Sequence, residues 1–377
     1  MKVKKGNPDR LNNLNRLIHQ TSTGEKVWRY SKSIVIQLPD KRNVLTASWI
    51  NGGYREDIQS LFNHQLNQEE IDYLEEGSVP GFMQNLAENL GLDPERTSGF
   101  LTVADMDNVT IVTERFREIE VTSIVTAGIE VNGGRAGDHA SYYELNGNYE
   151  FRVGTINTIL LINSHLSQST LLRAVMTAVE AKTVALQELM APSQYSDGVA
   201  TGSGTDNIAV VSNLSSENLL TTAGKHFKLG ELIGKAIIKA TKRALSQQSN
   251  LNPNSQCDML VRLDRFKVQA NDYWEHVKRV YQKDNKARFM PQLYKFSKNP
   301  LVVSLVASLL HTVDEINWGL INENQGKITA LHIMKTLPSL LNIEKKPDYS
   351  VLLKEDDSII QNWIKLSSWC IISLNEG

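Results

Sequence analysis

Four glycine-rich loops carry the residues of this sequence that are best suited to chemistry. Each combines glycine with short polar side chains near a predicted strand end: NGGYRED (51–57), TAGIEVNGGRAGD (126–138), GTIN (154–157) and ATGSGTD (200–206). Glycine lets a backbone approach a ligand closely, Thr and Asn add hydrogen-bond donors, and Asp adds a base or an acceptor. One such loop alone is more often a turn, but four at one edge of a sheet predict a polar pocket.

Neither of the two most glycine-rich loops matches a nucleotide-binding motif. ATGSGTD lacks the GK[ST] ending of a P-loop, and a predicted strand follows it. NGGRAGD is not followed by the helix that the dinucleotide fingerprint requires. A phosphate- or nucleotide-binding enzyme that uses these loops is therefore an alternative hypothesis that no sequence motif supports.

A lysine falls on the apolar side of the clearest predicted helix, residues 168–190. At ~100° per residue, Lys182 lies near the middle of one broad apolar arc, whereas Glu180 lies on the polar side. The arc consists of Leu171, Leu172, Val175, Val179, Leu186 and Leu189. A buried lysine is costly unless it is paired or functional, so Lys182 is either a functional residue or one that snorkels or forms a structural ion pair.

Composition and the remaining reactive residues narrow the class of protein. The chain has 377 residues and a net charge of −2, and this overall charge does not favour binding to nucleic acid or to an anionic membrane. The longest apolar run, 301–310, is too short to span a bilayer, so no membrane insertion is expected. The two cysteines are far apart and the eight histidines form no HExxH or HxH motif, so no metal site is predicted. Few cysteines and no secretory signal favour a cytoplasmic protein.

The elements that must position the loops are strands in the first half of the chain and helices in the second. Residues 33–50 predict a hairpin of SIVIQL and NVLTASWI, and Asn146-Gly147 predicts a second hairpin turn. GTINTILLIN and NIAVVS predict buried strands, and residues 224–245 predict a second long helix. The pattern indicates an α+β fold in which a sheet packs against long helices.

Three regions are expected. Residues 1–29 are a polar lead-in, residues 30–246 form the α+β domain, and residues 257–377 form a smaller all-α C-terminal domain. A polar segment over 247–256 reads as the linker between the two domains. The role of the helical domain stays open, and so does the oligomeric state.

The order of the motifs resembles the adenosylcobinamide amidohydrolase family of corrinoid salvage. The resemblance lies in TAGIEVNGGRAGD, GTINTILLINSHLS, AVMTAVEAKTVALQEL, GVATGSGTDNIAVV and TAGKHFKLGELIGKAI, with NVLTASWINGG and SGFLTVADM similar to the upstream motifs. It covers residues 30–246 approximately. It implies hydrolysis of the amide that joins aminopropanol to the corrin ring of adenosylcobinamide, giving adenosylcobyric acid for cobalamin salvage. The substrate is itself a cobalt corrinoid, and no further cofactor is identified; a corrinoid-binding protein without activity is the alternative.

Amide hydrolysis needs a base for water, donors for the oxyanion and an acid for the departing amine. Asp206 is the first candidate base and Asp138 the second, while Lys182 would orient a carboxylate, bind the oxyanion or donate the proton. Glu180 is included because it lies in the family's EAK motif. The candidate donors to substrate or oxyanion are Thr126, Thr155, Thr201 and Thr205, and the candidate ligands of the corrin amides are Asn132, Arg135 and Asn157.

Overall fold

The computed structural model describes residues 15–140 and 155–374. The chain divides into two compact units, residues 1–252 and 253–377. The hairpin turn predicted at Asn146-Gly147 lies outside the described residues.

Two β-sheets form the centre of the first unit. The five-stranded sheet has the order β1 (Arg16–Gln20), β2 (Lys26–Arg29), β3 (Ser33–Gln37), β6 (Ser60–Gln65) and β7 (Thr97–Thr102). The six-stranded sheet has the order β5 (Gly53–Arg55), β4 (Arg42–Thr46), β14 (Asn207–Asn213), β11 (Ile156–Ile162), β9 (Ile119–Ala127) and β8 (Thr110–Phe116). Two short pairs accompany them: β10 (Gly133–Gly134) with β13 (Gly202–Ser203), and β12 (His165–Leu166) with β15 (Leu219–Leu220). Within the two large sheets, β6–β7 and β11–β14 are parallel pairs.

Helices cover the outer faces of the two sheets. They are α1 (Gln68–Glu76), α2 (Val79–Asn89), α3 (Gln168–Glu188) and α4 (Lys228–Ser249). Leu161 of β11 and Ile36 of β3 share the core between the sheets, whereas their neighbours Leu160 and Val35 pack on the helical sides. Successive strand residues point to opposite faces, so the layers run α3 and α4, six-stranded sheet, five-stranded sheet, α1 and α2.

Two predictions for the N-terminal part of the chain are wrong. Residues 16–29 form β1 and β2 of the five-stranded sheet instead of a frayed lead-in. The strands predicted to form one hairpin over residues 33–50 belong to different sheets, since β3 pairs with β2 and β6 whereas β4 pairs with β14 and β5. Both strands are buried and have a neighbour on each side, which a two-stranded hairpin cannot supply.

The apolar arc predicted for α3 is also partly wrong. Leu171, Leu186 and Leu189 are buried, but Leu172 and Val179 are 57% and 43% exposed. The buried face is instead rich in alanine: Ala174, Ala178 and Ala181 belong to the core shared with α4, and Ala185 is also buried. Both helices contribute to this core, and its small alanine side chains let α3 and α4 approach each other closely.

The described part of the second unit is helical. It contains α5 (Met259–Asp264), α6 (Ala270–Tyr281), α7 (Lys286–Ser297), α8 (Pro300–Asn317), α9 (Glu323–Met334), α10 (Leu337–Leu340), α11 (Tyr349–Leu352) and α12 (Ile359–Ser373). Its core holds the fully buried Tyr273 and Trp363. The predicted α+β fold with an all-α C-terminal part is therefore confirmed. In the ranges that the structure describes, none of the helices has both the length and the apolarity that crossing a bilayer requires.

Candidate active site

Strand register brings three of the four glycine-rich loops to one edge of the six-stranded sheet. Asn157 of β11 lies opposite both Thr126 of β9 and Asn207 of β14. Since β9 runs antiparallel to β11 and β14 runs parallel to it, β9 ends at the edge where the other two begin. The loop that follows β9, the loop that precedes β14 and Thr155, which directly precedes β11, therefore meet there.

Two of these loops also pair directly with each other. In the β10–β13 ladder, Gly134 lies opposite Gly202. Next to it, the Thr201 amide donates to the Gly134 carbonyl over 2.8 Å, and the Thr201 hydroxyl accepts from the Ala136 amide over 2.9 Å. Residues 132–138 and 200–206 thus form one continuous wall.

That wall borders a cavity of about 1070 Å³. The rest of its lining comes mainly from α3, β7, the loop after β4 and the loop after α3, and includes the apolar side chains of Trp49, Val179 and Tyr195. Its polar side chains are Asn132, Arg135, Asp138, His139, Thr155, Thr102, Lys182, Thr183, Thr201, Ser203, Thr205, Asp206 and Asn207. The fourth predicted loop, NGGYRED, contributes no residue to this lining. A volume near the top of the range for small-molecule pockets suits a large ligand.

Lys182 and Asp206 form an ion pair in the wall of the cavity. The Lys182 ammonium donates to Asp206 Oδ2, and the two side chains are only 13% and 16% exposed. Lys182 is therefore paired inside the protein and does not extend past the edge of the core to solvent. Because the pair is mostly buried, its attraction is screened less than that of a surface pair.

Asp206 is held by three further donors. Its Oδ1 accepts from the Ile156 amide over 2.9 Å and from the Ser203 hydroxyl over 2.6 Å. Its Oδ2 accepts from the Ser203 amide over 3.0 Å as well as from Lys182. Both carboxylate oxygens are thus engaged by the protein.

Gly202 leaves the space that this ion pair occupies. A Cβ atom at position 202 would lie 2.3 Å from Asp206 Oδ2 and 2.7 Å from Lys182 Nζ. Both distances are shorter than real Cβ contacts, so a larger residue at position 202 requires Asp206 or Lys182 to move.

Asp138, the second candidate base, lines the same cavity. Its Oδ2 accepts from the Arg135 amide over 2.8 Å and from the Ser193 hydroxyl over 2.6 Å. Burial raises the pKa of Asp138, but hydrogen bonds from Ser193, Ser196 and the Arg135 amide outweigh it, so the net pKa lies below the usual value. Asp138 is therefore ionised near neutral pH.

Five of the seven predicted binding residues line the cavity, and two do not. The five are Asn132, Arg135, Thr155, Thr201 and Thr205. Asn157 and Thr126 are each 1% exposed and belong to a buried network. In it, the Asn157 amide donates to Asn63 and to the Leu101 carbonyl over 2.7 and 3.0 Å, and Asn63 donates to Thr126 over 2.8 Å. These contacts link the two sheets, which indicates a structural role.

Glu180 is not brought to the cavity lining. It lies on the surface, where it pairs with Lys225 over 2.5 Å, and the two side chains are 51% and 63% exposed. Glu180 and Lys182 are two residues apart on α3, which places them on opposite sides of the helix.

The sequence did not single out Ser203, Trp49 or Tyr195 as site residues. Ser203 lies inside ATGSGTD, three residues before Asp206, a spacing at which a serine can bond a following carboxylate. For Trp49 and Tyr195 there was no signal, because they lie in irregular loops. Among the described residues, no group of three or more His, Cys, Asp or Glu side chains is arranged to hold a metal ion.

Comparison with known proteins identifies the family. The sequence profile of adenosylcobinamide amidohydrolase matches residues 15–253. The chain belongs to the adenosylcobinamide amidohydrolase family. The match covers the whole of the wall described above, from β9 to Asp206, and it begins at residue 15, so it includes β1 and β2.

Individual proteins also match parts of this chain. An uncharacterized protein of Methanocaldococcus jannaschii is 31% identical over 233 residues, covering 59% of this chain and 88% of the relative. An adenosylcobinamide amidohydrolase of Methanosarcina mazei is 27% identical over 204 residues, covering 52% and 86%. A crystal structure of a Pyrococcus horikoshii protein aligns with a TM-score of 0.30 at 9% identity, over 62% of this chain and 82% of that one.

Proposed function

We propose that this protein hydrolyses the amide bond between aminopropanol and the corrin ring of adenosylcobinamide, giving adenosylcobyric acid for cobalamin salvage. Membership of the amidohydrolase family supports this reaction. The observation that carries the proposal is the Lys182–Asp206 pair, which sets a mostly buried ammonium in the wall of a cavity of about 1070 Å³. A fixed cation in such a place can stabilise the charge that develops on an amide oxygen.

In this proposal Lys182 acts on the carbonyl and Asp138 acts on water. We place Asp138 ahead of Asp206 as the base, because Asp206 is paired with the Lys182 ammonium, whereas the donors to Asp138 are hydroxyl groups and a backbone amide. Asp138 lines the same cavity and is ionised near neutral pH, so it is in the form that can accept a proton from water. Asp206 then serves to hold Lys182.

The steps balance without a further reactant. Water gives a proton to Asp138 as its oxygen bonds to the amide carbon, and the Lys182 ammonium stabilises the resulting oxyanion. The carbon–nitrogen bond then breaks, and the proton on Asp138 passes to the aminopropanol nitrogen. The products are a carboxylic acid on the corrin ring and free aminopropanol.

The lining of the cavity suits a substrate that is partly apolar and rich in amides. Trp49, Val179 and Tyr195 offer apolar surface to a ring system, and Asn132 and Arg135 offer hydrogen-bond donors to peripheral amides. The substrate itself brings the cobalt.

The test is to incubate the purified full-length protein with adenosylcobinamide and to follow adenosylcobyric acid and aminopropanol by mass spectrometry. We expect both products from the wild type and a loss of at least about 100-fold for Lys182→Met. Lys225→Met is the matched control, because it removes a lysine from the exposed pair with Glu180. A coloured complex with no release of aminopropanol would instead show a corrinoid-binding protein. If the Lys182→Met and Asp206→Asn variants are both folded and both keep full turnover, the assignment of the active site is wrong.

A further inference from the structure

We propose that Ser203 is a positioning residue that fixes the Asp206 carboxylate, and through it the Lys182 ammonium. The kinetic consequences of this inference rest on the proposed function, whereas its first test does not. Ser203 provides two of the four donors to Asp206, and it provides one to each carboxylate oxygen.

Attachment at both oxygens controls the rotation of the carboxylate. The Ser203 hydroxyl donates to Oδ1 over 2.6 Å, and the Ser203 amide donates to Oδ2 over 3.0 Å. The torsion that turns an aspartate carboxylate has broad minima, so each donor that is added narrows the range of orientations that the carboxylate adopts. With both contacts in place, Oδ2 is held towards Lys182.

The hydroxyl is the part of this clamp that a substitution can remove. Without it, Oδ1 keeps the Ile156 amide as its described donor, at 2.9 Å. A hydroxyl that donates to a carboxylate over 2.6 Å makes a short, charge-assisted hydrogen bond, which is stronger than a bond between neutral groups. Its loss should therefore loosen Asp206 without changing any charge in the site.

Lys182 needs such a clamp more than a shorter side chain would. Its ammonium ends a flexible four-carbon stem, yet an oxyanion is stabilised best by a donor whose position is set beforehand. The Asp206 carboxylate holds the ammonium on one side. On the other side, the backbone at Gly202 limits the space that is available to the pair.

The first experiment measures how firmly Lys182 is held in the ion pair by the reactivity of its amine. Wild type, Ser203→Ala and Ser203→Thr are treated with an amine-acylating reagent, and the rate at each lysine is read by mass spectrometry. We expect Lys182 to react about tenfold faster in Ser203→Ala, because this variant loses one hydrogen bond to a charged group. In Ser203→Thr, which keeps a hydroxyl, Lys182 should react at the wild-type rate. The reaction rate at Lys225 is the internal reference. The control variant is Ser216→Ala, which removes a loop hydroxyl that accepts from the Asn218 amide. An unchanged rate at Lys182 in folded Ser203→Ala would overturn the proposal.

The second experiment separates positioning from general loss of structure. With adenosylcobinamide, Ser203→Ala should lower kcat by about 10- to 100-fold, the cost of small misplacement, with little change in KM. In the Lys182→Met background the same substitution should lower kcat no further, because both changes act on one group. Additive losses in the two backgrounds would overturn the proposal. A wild type without hydrolysis would refute the proposed reaction, and the acylation rates would still decide the role of Ser203.

Discussion

Lys182 of α3 and Asp206, 24 residues later in the chain, form an ion pair whose side chains are 13% and 16% exposed. The pair joins a helix to a glycine loop at the sheet edge where the cavity lies. Four predictions follow from its surroundings and from those of Asp138 and Asn157.

Gly202→Ala should separate the ion pair. The added methyl group would lie 2.3 Å from Asp206 Oδ2, so one partner must move. We expect a loss of turnover of about 100-fold and a loss of stability of about 1–3 kcal/mol from overpacking. Activity with adenosylcobinamide and urea unfolding measure the two effects.

Gly204→Ala is the matched control for stability, because a Cβ at position 204 meets no atom within 4 Å. Its midpoint in urea should stay at the wild-type value. Equal midpoints for Gly202→Ala and Gly204→Ala would contradict the steric prediction.

Removing one partner of the pair should cost more than removing both. Lys182→Met leaves Asp206 without its cation, and we expect a loss on the order of 2 kcal/mol, less than for a fully buried pair. In the double variant Lys182→Met/Asp206→Asn no uncompensated charge remains, so part of that stability should return. Urea unfolding of the two single variants and the double variant gives the comparison. The prediction fails if the double variant loses the sum of the single losses.

Ser193→Ala should move the acidic limb of the kcat/KM profile to higher pH. The Ser193 hydroxyl donates to Asp138 over 2.6 Å and helps to lower the pKa of that carboxyl against the opposing effect of burial. Without this bond the pKa of Asp138 rises, so the base becomes protonated at a higher pH.

The pH profile is measured for the wild type, Ser193→Ala and Asp138→Asn. Asp138→Asn, which cannot accept the proton, should lose the acidic limb together with most of the activity. An acidic limb that is the same in the wild type and Ser193→Ala would show that Asp138 is not the base.

Asn157→Ala should affect stability and not substrate binding. The substitution leaves the Leu101 carbonyl and the Asn63 amide oxygen without their buried donor, which costs about 1–3 kcal/mol. Arg135→Ala is the contrasting variant, because Arg135 is exposed and lines the cavity. It should raise KM and leave unfolding unchanged. If Asn157→Ala raises KM at unchanged stability, Asn157 is a substrate ligand as the sequence predicted.

Local patterns in the sequence were sufficient for some elements and misleading for others. The run after Asn157 was predicted as a buried strand and is β11, because continuous apolar residues mark a strand that is covered on both faces. The segments of β3 and β4 were also predicted correctly as strands, but their pairing in one hairpin was wrong. Both are rich in β-branched residues and flank a turn, but local propensity does not say which sheet a strand joins.

Helical periodicity located Lys182 but not its surroundings. It gives the angle of each side chain around α3, whereas the face that becomes buried depends on the neighbouring element. Here α4 packs on the alanine face, so Leu172 and Val179 stay exposed. Periodicity did place Glu180 on the polar side, where the structure has it, paired with Lys225.

The sequence by itself determined the family and the loops that build the candidate site, because the order of short motifs along the chain is a one-dimensional property. Only the tertiary structure decided which polar residues meet. Asp206 reaches Lys182 and the Ile156 amide through the pairing of β10 with β13 and the parallel register of β11 and β14. Asn157 turns inward to Asn63 because a second sheet lies on that side. Such contacts arise between residues far apart in the chain, and their partners are set by the packing of whole layers.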